Sequence, residues 1–233
     1  MKHLIERLLD KFAQRVVRRI SFLRFGDSFD VQEMAFARAA MESVDYYEAE
    51  LRNAAQFTDN MALLAHAVSI APKDGLLMEF GVSAGRTISY IAGLRPQSTI
   101  HGFDSFEGLP ETWREGYRKG AFAQTPPTVP TNVSLIKGLF SDTLPAFIEK
   151  FHGVPIAFVH IDCDLYSSTM TVLQAIGPRL KAGSILVFDE FWNYPGWRHH
   201  EYKAFEEFKR SSGIKFEAIG FVSRHQQVAF VVA

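Results

Sequence analysis

The stretch LLMEFGVSAGRTISYIA (residues 76–92) decides the fold of this chain. Its first five residues are apolar apart from Glu79 and predict a buried strand, and the RTISYIAGL segment predicts a helix. Gly81 and Gly85 bracket a tight turn between them, with the small Ser83 in the middle. Glycines let the backbone approach a ligand closely, and the first N–H groups of a helix are free to bind it. The stretch therefore predicts a strand–turn–helix unit, with a ligand at the turn or, as the alternative, a plain turn in which the glycines serve only the backbone geometry.

Apolar runs of strand length continue from residue 76 to the end of the chain. Helices or long loops separate the first five runs, at 76–80, 99–104, 133–138, 155–162 and 184–190. Such alternation is typical of parallel βαβ units. The last two runs, 216–222 and 227–233, are too close for a crossover and predict an antiparallel hairpin. We expect an α/β fold with a doubly wound, mostly parallel seven-stranded sheet and an antiparallel C-terminal hairpin.

Helical patterns fill the chain before this unit, so we assign residues 1–57 to an N-terminal helical extension and 58–233 to a Rossmann-like domain. Residues 1–24 carry seven Lys and Arg against Glu6 and Asp10, with apolar residues at helical spacing. This basic amphipathic helix favours packing on its own domain or on a second subunit, as in a homodimer. Contact with an anionic membrane surface is the minor alternative.

The composition excludes several classes of protein. The net charge is -1 over 233 residues, whereas a nucleic-acid-binding domain usually has a basic excess. Cys163 is the single cysteine, which rules out an internal disulfide and favours a reducing, cytoplasmic compartment. The sequence contains no run of about 18 apolar residues, so it predicts no membrane-spanning helix.

Polar side chains at the ends of the next two strands are candidate ligand contacts. Asp104 ends the 99–104 run, where an acidic residue commonly accepts hydrogen bonds from ribose hydroxyls. Ser141 and Asp142 follow the 133–138 run, where an adenine amino group is within reach. Asp142 equally suits the N-cap of a helix that starts at Leu144. The loop at 105–132 is long and carries aromatic residues, which favours a lid.

Four carboxylates follow two strands that we expect to be adjacent and parallel. Asp162 and Asp164 follow the 155–162 run, and Asp189 and Glu190 follow the 184–190 run. Because the carboxyl ends of such strands meet, these groups should converge beside the glycine turn. A cluster of hard oxygen ligands suits Mg²⁺ or a similar divalent cation. The alternative for Asp164 is helix capping.

The segment FWNYPGWRHHEY (191–202) places aromatic and histidine side chains directly after the last two carboxylates. Such a loop makes a plausible acceptor pocket, although it also suits a hydrophobic loop packed on the domain. His199 and His200 are candidate bases, but adjacent histidines cannot both point inward. We take His200 as the candidate. Cys163, between the two aspartates, should face the core.

Together these residues resemble a class I S-adenosylmethionine-dependent methyltransferase. MEFGVSAGRT is similar to that family's cofactor turn, with Ser83 in place of its middle glycine. GFDSFEGLP, KGLFSDTLP, HIDCDLYSST and GSILVFDEF, in that order, resemble the macrocin O-methyltransferase family over roughly residues 58–210.

The resemblance implies methyl transfer from S-adenosylmethionine to a hydroxyl of a small-molecule acceptor, a sugar moiety or a phenolic natural product. It implies a cofactor site formed by Glu79, Gly81, Asp104 and Asp142. We add Ser83 and Gly85, because they lie in the same turn, and Ser141, because it precedes Asp142. The resemblance further implies Asp162, Asp189 and Glu190 as ligands of Mg²⁺, and Asp164 as the general base. That family usually carries two aspartates where this chain has Asp189 and Glu190, so a metal-independent reaction stays open.

Two other functions stay open from the sequence alone. A nicotinamide-dependent oxidoreductase can use a related sheet, but the chain has neither G-x-G-x-x-G nor Tyr-x-x-x-Lys. A membrane-associated scaffold with a degenerate cofactor fold would explain the basic N-terminus but not four converging carboxylates.

Overall fold

The computed structural model describes residues 9, 11–16, 19 and 28–233. Two thirds of the basic amphipathic helix predicted for residues 1–24 lie outside these described residues, and the described positions within it, 9, 11–16 and 19, are helical. No helix in the described part of the chain combines the length and apolar character needed to cross a membrane.

Eight strands of the described chain form a single sheet. They are β1 (Ala55–Phe57), β2 (Leu76–Phe80), β3 (Ile100–Asp104), β4 (Val133–Lys137), β5 (Ile156–Ile161), β6 (Ile185–Phe188), β7 (Phe216–Val222) and β8 (Val228–Val232). Their spatial order is β1-β7-β8-β6-β5-β2-β3-β4. The core strands pair in parallel, whereas β8 is antiparallel to both β6 and β7. The predicted parallel sheet and C-terminal hairpin are therefore confirmed.

Six α-helices accompany the sheet in residues 28–233. They are α1 (Val31–Tyr46), α2 (Asn60–Ile70), α3 (Arg86–Leu94), α4 (Phe140–Lys150), α5 (Tyr166–Ile176) and α6 (Glu201–Ser212). Helix α2 packs beside α3, and α4, α5 and α6 pack side by side. Two buried apolar clusters, one with Leu63 and Ile88 and the other with Leu144 and Phe205, fill the spaces between helices and sheet. Helices therefore cover both faces, as a doubly wound fold requires.

One strand of the sheet was not predicted. Ala55–Phe57 pairs in parallel with β7 at the sheet edge. Three residues are too few to show a period of two, and the sequence analysis had assigned them to the N-terminal extension. Helix α1 also contacts the domain, because Tyr46 packs against the rings of Phe191 and Trp197.

The predicted start of the fourth helix at Leu144 is wrong. Helix α4 begins at Phe140, after the extended Leu139, and the carbonyl of Leu139 accepts hydrogen bonds from the N–H groups of Asp142 and Thr143. Asp142 therefore lies in the first turn instead of at the N-cap. A carboxylate is also favourable there, since it faces the positive end of the helix dipole.

The strand order fixes where a ligand can bind. Strand β2 has β3 on one side and β5 on the other, so the connections from β2 and β5 leave toward opposite faces. This is the switch point of an open α/β sheet, where a crevice forms beyond the carboxyl ends of the strands.

Candidate active site

A cavity of about 570 Å³ opens at this switch point. Its size is within the range of small-molecule sites. The glycine turn after β2 forms one wall, and the loop at 105–122 forms another. The carboxylate residues Asp162, Asp164 and Glu190 also line it. The structure therefore brings the predicted turn and three of the four predicted carboxylate residues to one space.

The glycine turn packs directly on the end of β5. Gly81 has φ of +93°, and a Cβ atom there would lie 1.6 Å from the carbonyl oxygen of Asp162. Gly85, at φ of +77°, caps the start of α3. Ser83 also has a left-handed backbone, and its hydroxyl accepts a hydrogen bond from Gln124 of the long loop at 2.7 Å. Only glycine fits at Gly81 without moving the backbone that carries the carboxylates.

Asp104 holds the turn from the neighbouring strand. Its Oδ2 accepts hydrogen bonds from the N–H groups of Val82 at 2.9 Å and Ser83 at 2.8 Å. Its Oδ1 accepts one from the N–H of Phe106 at 2.7 Å. Asp104 lines the cavity as well, so its predicted contact with ribose hydroxyls stays a prediction beside this structural role.

Glu79 lies beneath the cavity and does not line it. The side chain is fully buried, and its two oxygens accept from Thr87 Oγ1 at 3.1 Å and face His160 Nδ1 at 2.9 Å. The other ring nitrogen of His160 lies 3.6 Å from Asp189 Oδ1. Burial lowers the pKa of His160, but the two flanking carboxylates more than reverse this and raise it well above its ordinary value. The two acids thus favour the protonated form of His160 between them, although burial also raises the pKa of Glu79.

Asp162, Asp164 and Glu190 form a cluster in which one ligand oxygen of each lies within 4.8 Å of the others. Burial, together with the charge of Asp189, raises the pKa of Asp162 and of Glu190 well above the ordinary range. Burial raises the pKa of Asp164 to about 7, against a lowering by Arg114. Asp164 also has an unusual left-handed backbone, with φ of +62°. Close like charges of this kind favour protons or a cation.

The predicted metal ligands divide between two groups. Asp162 lies with Asp164 and Glu190 in one group and with His160 and Asp189 in the other. Glu190 Oε2 is buried and has no hydrogen-bond partner among the described residues. An orphaned carboxylate oxygen fits a hard cation on the first group. In the second group, His160 already supplies positive charge to Asp189.

Arg114 was not singled out by the sequence analysis, although it lies in the predicted lid. Its guanidinium carbon stands 3.8 Å from the ring centre of Trp113 and 4.6 Å from that of Tyr194. Arg114 lines the cavity, and its charge acts on Asp164. The aromatic residues around it were the available signal, since stacked rings commonly hold a guanidinium.

The remaining predicted residues lie at different depths. His200 packs against Trp113 and Tyr194, does not line the cavity, and has its pKa lowered to about 4 by burial and by His199. Ser141 lines the cavity, and its hydroxyl donates a hydrogen bond to Asp142 Oδ1. Asp142 is exposed and is not part of the cavity lining. The expected buried thiol of Cys163 is confirmed.

Glu201, a second residue that the sequence analysis missed, begins α6 and is fully buried. Its Oε1 accepts a hydrogen bond from the N–H of Cys163 at 3.4 Å, and its Oε2 accepts one from the N–H of Glu190 at 3.1 Å. Nothing in the sequence marks this glutamate, because a charged residue in the first turn of a helix is usually solvated.

Comparison with known proteins points to one family. Residues 78–191 match a family model described as a methyltransferase domain. A curated relative from Streptomyces olivaceus, 8-demethyl-8-(2,3-dimethoxy-alpha-L-rhamnosyl)-tetracenomycin-C 4'-O-methyltransferase, is 29% identical over 161 residues, 57% of this chain and 59% of that protein. Demethyldecarbamoylnovobiocin O-methyltransferase from Streptomyces niveus is 29% identical over 147 residues, 52% of this chain and 54% of that protein. The matched part is thus somewhat more than half the length of these relatives.

Solved structures agree with this assignment. CalS11, a calicheamicin methyltransferase, superposes with a TM-score of 0.60 and 28% identity, over 74% of this chain and 76% of that chain. The O-methyltransferase NovP has a TM-score of 0.57 at 22% identity, over 73% and 78%, and shows the shared fold. Residues 78–191 are therefore a methyltransferase domain, and over this region the chain is similar in sequence and fold to O-methyltransferases.

Proposed function

We propose that this chain is an O-methyltransferase that uses S-adenosylmethionine to methylate a hydroxyl group of a small molecule, on a sugar moiety or a phenolic ring. The observation that carries the proposal is that the glycine turn and the carboxylate of Asp164 line the same cavity. The curated relatives support it, because both are named O-methyltransferases.

The side of the cavity formed by the glycine turn and Asp104 is suited to S-adenosylmethionine. Gly81 and Gly85 remove the side chains that would block close approach, and Asp104 holds the turn in shape. We propose that these residues, with Ser83 and Ser141, hold the cofactor. The bound cofactor supplies a methyl group on a positively charged sulfur. The chain must then align an acceptor oxygen with that methyl group, which lowers the entropic cost of the reaction.

Asp164 is the proposed general base. Its carboxylate would accept the proton of the acceptor hydroxyl as that oxygen is methylated. A base is most effective when its pKa lies near the working pH, and the pKa of Asp164 is about 7. His200, the other candidate, is less suited, because it lies outside the cavity lining and has a pKa of about 4.

We further propose Mg²⁺ or a similar divalent cation at Asp162 and Glu190, with Asp189 beside them. The orphaned oxygen of Glu190 and the spacing of the cluster support this. When bound, such an ion would lower the pKa of a coordinated hydroxyl. The residues themselves would supply its negative ligands and keep it next to the base.

Thermal unfolding tests the cofactor and the metal. The protein would be unfolded with S-adenosylhomocysteine, with NAD⁺ or with neither, each with Mg²⁺ or EDTA. A ligand at about 100 times its Kd should add roughly 2.7 kcal/mol of stability. We expect S-adenosylhomocysteine to stabilise the protein and Asp162→Asn to remove any Mg²⁺ effect. Stabilisation by NAD⁺ alone would overturn the proposal in favour of an oxidoreductase, and no shift with either would favour a non-catalytic scaffold.

Transfer of a labelled methyl group to a panel of sugar and phenolic hydroxyls tests the reaction. We expect Asp164→Asn to lower kcat by about 10²–10⁴-fold, the usual contribution of a general base. Asp74→Asn, an exposed aspartate outside the cavity lining, is the matched control. Equal activity of Asp164→Asn and this control would show that Asp164 is not the base.

A further inference from the structure

Glu201 joins the two loops that carry the acidic cluster. Cys163 lies between Asp162 and Asp164 on the loop after β5, and Glu190 lies on the loop after β6. Each of these loops donates one backbone N–H to a different oxygen of the Glu201 carboxylate, at 3.4 Å and 3.1 Å. One side chain therefore bridges two loops that come from neighbouring parallel strands.

The burial of Glu201 calls for a reason. It is fully buried and lies outside the cavity lining, and no Lys, Arg or His of the described chain lies within ion-pair distance of it. Burying a carboxylate without a cation is unfavourable unless hydrogen bonds compensate. The hydrogen bonds of its side chain to the described residues are those from the N–H groups of Cys163 and Glu190. These two bonds are therefore what compensates for its burial.

The loop after β5 is also under local strain. Asp164 has a left-handed backbone at φ of +62°, a conformation that a non-glycine residue keeps only where the surroundings hold it. The bond from Glu201 reaches the N–H of Cys163, the residue directly before Asp164. Glu201 is thus attached directly before Asp164, the residue at which this loop adopts its left-handed conformation and lines the cavity.

We propose that Glu201 is a positioning residue that fixes the separation of Asp162 and Asp164 from Asp189 and Glu190. It acts through the backbone of both loops and touches neither cofactor nor acceptor. The inference rests on the proposed function, because it assigns the cluster to the methyl-transfer site. When a residue that holds metal-coordinating residues in place is replaced, metal affinity or activity typically falls by about 10–100-fold.

Two substitutions test this role. Glu201→Gln keeps the shape but offers an N–H group where one loop needs an acceptor. Glu201→Asp keeps the carboxylate but shortens its reach, so it remains informative if the glutamine variant fails to fold. Glu206→Gln is the control, because Glu206 lies on the same helix, is half-buried, pairs with Lys209 and lies outside the cavity lining.

Three readouts separate positioning from general stability. The affinity for S-adenosylhomocysteine and the KM for S-adenosylmethionine should stay within about threefold, since Glu201 lies outside the cavity lining and its hydrogen bonds go to Cys163 and Glu190. The kcat and the affinity for Mn²⁺, measured by its spin-resonance signal, should fall by about 10–100-fold. Folded Glu201 variants with kcat and Mn²⁺ affinity within twofold of Glu206→Gln would overturn the inference.

A failure of the proposed function would look different. In that case the unmodified protein would transfer no methyl group to any acceptor, whereas Mn²⁺ affinity and crystal structures of the variants could still be compared. Cluster loops that keep their separation in Glu201→Asp would then refute the positioning role, and displaced loops would support it.

Discussion

Replacing Gly81 by alanine tests the link between the glycine turn and the acidic cluster. The position combines φ of +93° with direct contact to the backbone of Asp162. A left-handed backbone costs an alanine about 1–2 kcal/mol. The added Cβ would lie 1.6 Å from the carbonyl oxygen and 2.7 Å from the carbonyl carbon, whereas real Cβ contacts stay beyond 3.0 Å. The turn or the end of β5 must therefore move.

The magnitude follows from these two effects. Backbone shifts forced by overpacking typically cost about 1–3 kcal/mol, so Gly81→Ala should lower the free energy of unfolding by roughly 2–5 kcal/mol in all. Gly153→Ala is the matched control. Gly153 has a similar φ of +81°, but no heavy atom of the described chain lies within 4 Å of the added Cβ. Its cost should be the backbone part alone, about 1–2 kcal/mol.

Urea unfolding and titration with S-adenosylhomocysteine measure the difference between the two variants. We expect Gly81→Ala to be less stable than Gly153→Ala and to lose cofactor affinity by at least tenfold, while Gly153→Ala binds like the unmodified protein. The reasoning is refuted if the two variants are equally stable and bind S-adenosylhomocysteine equally well. That outcome would mean that the turn and the end of β5 separate freely.

Three further predictions concern charges around the cavity. Asp104→Asn should lower stability in urea by about 1–3 kcal/mol and weaken S-adenosylhomocysteine binding in calorimetry, because an amide cannot accept all three N–H groups. Without metal, the free energy of unfolding measured in urea should fall as the pH rises from about 4 to about 7. The pKa of Asp164 is about 7 in the folded protein and 3.8 as the ordinary value, which we take for the unfolded chain, so the folded state binds more protons between these pH values. Mg²⁺ should reduce this fall, and an unchanged slope would argue against a cation there. Arg114→Met should move the acidic limb of the profile of kcat/KM against pH to higher pH, since the guanidinium lowers the pKa of Asp164; an unmoved limb would contradict that contact.

The sequence predicts the sheet well because its signals are local. The apolar runs of β2, β5 and β6 are buried along their whole length, and the short gap before β8 leaves only a hairpin. The edge strand Ala55–Phe57 and the start of α4 were missed. In both cases tertiary contacts decide, because three residues have no period and because the carbonyl of Leu139 starts the helix earlier than the capping pattern indicates.

The candidate site was predicted where residues end strands and missed where residues act from a distance. Asp162, Asp164 and Glu190 line the cavity as the strand pattern indicates. Arg114 lies in the long loop after β3, and Glu201 begins helix α6. Whether these side chains reach the acidic cluster depends on how the loop and the helix pack on the sheet. No spacing rule in the sequence relates them to the cluster.

Carboxylates as close as those of Asp162 and Asp164 are unfavourable unless positive charge lies near them, and two positively charged or basic side chains of the described structure lie close to this site. His160 stands between Glu79 and Asp189, and the charge of Arg114 acts on Asp164. Burial and the neighbouring charge of Asp189 nevertheless keep the pKa of Asp162 and of Glu190 well above the ordinary range. Protons would compete with the proposed divalent cation for the same carboxylates, so we expect metal affinity to tighten as the pH rises. Isothermal calorimetry with Mg²⁺ at pH 6 and pH 8 measures this, and equal affinity at the two pH values would argue against a cation on these carboxylates.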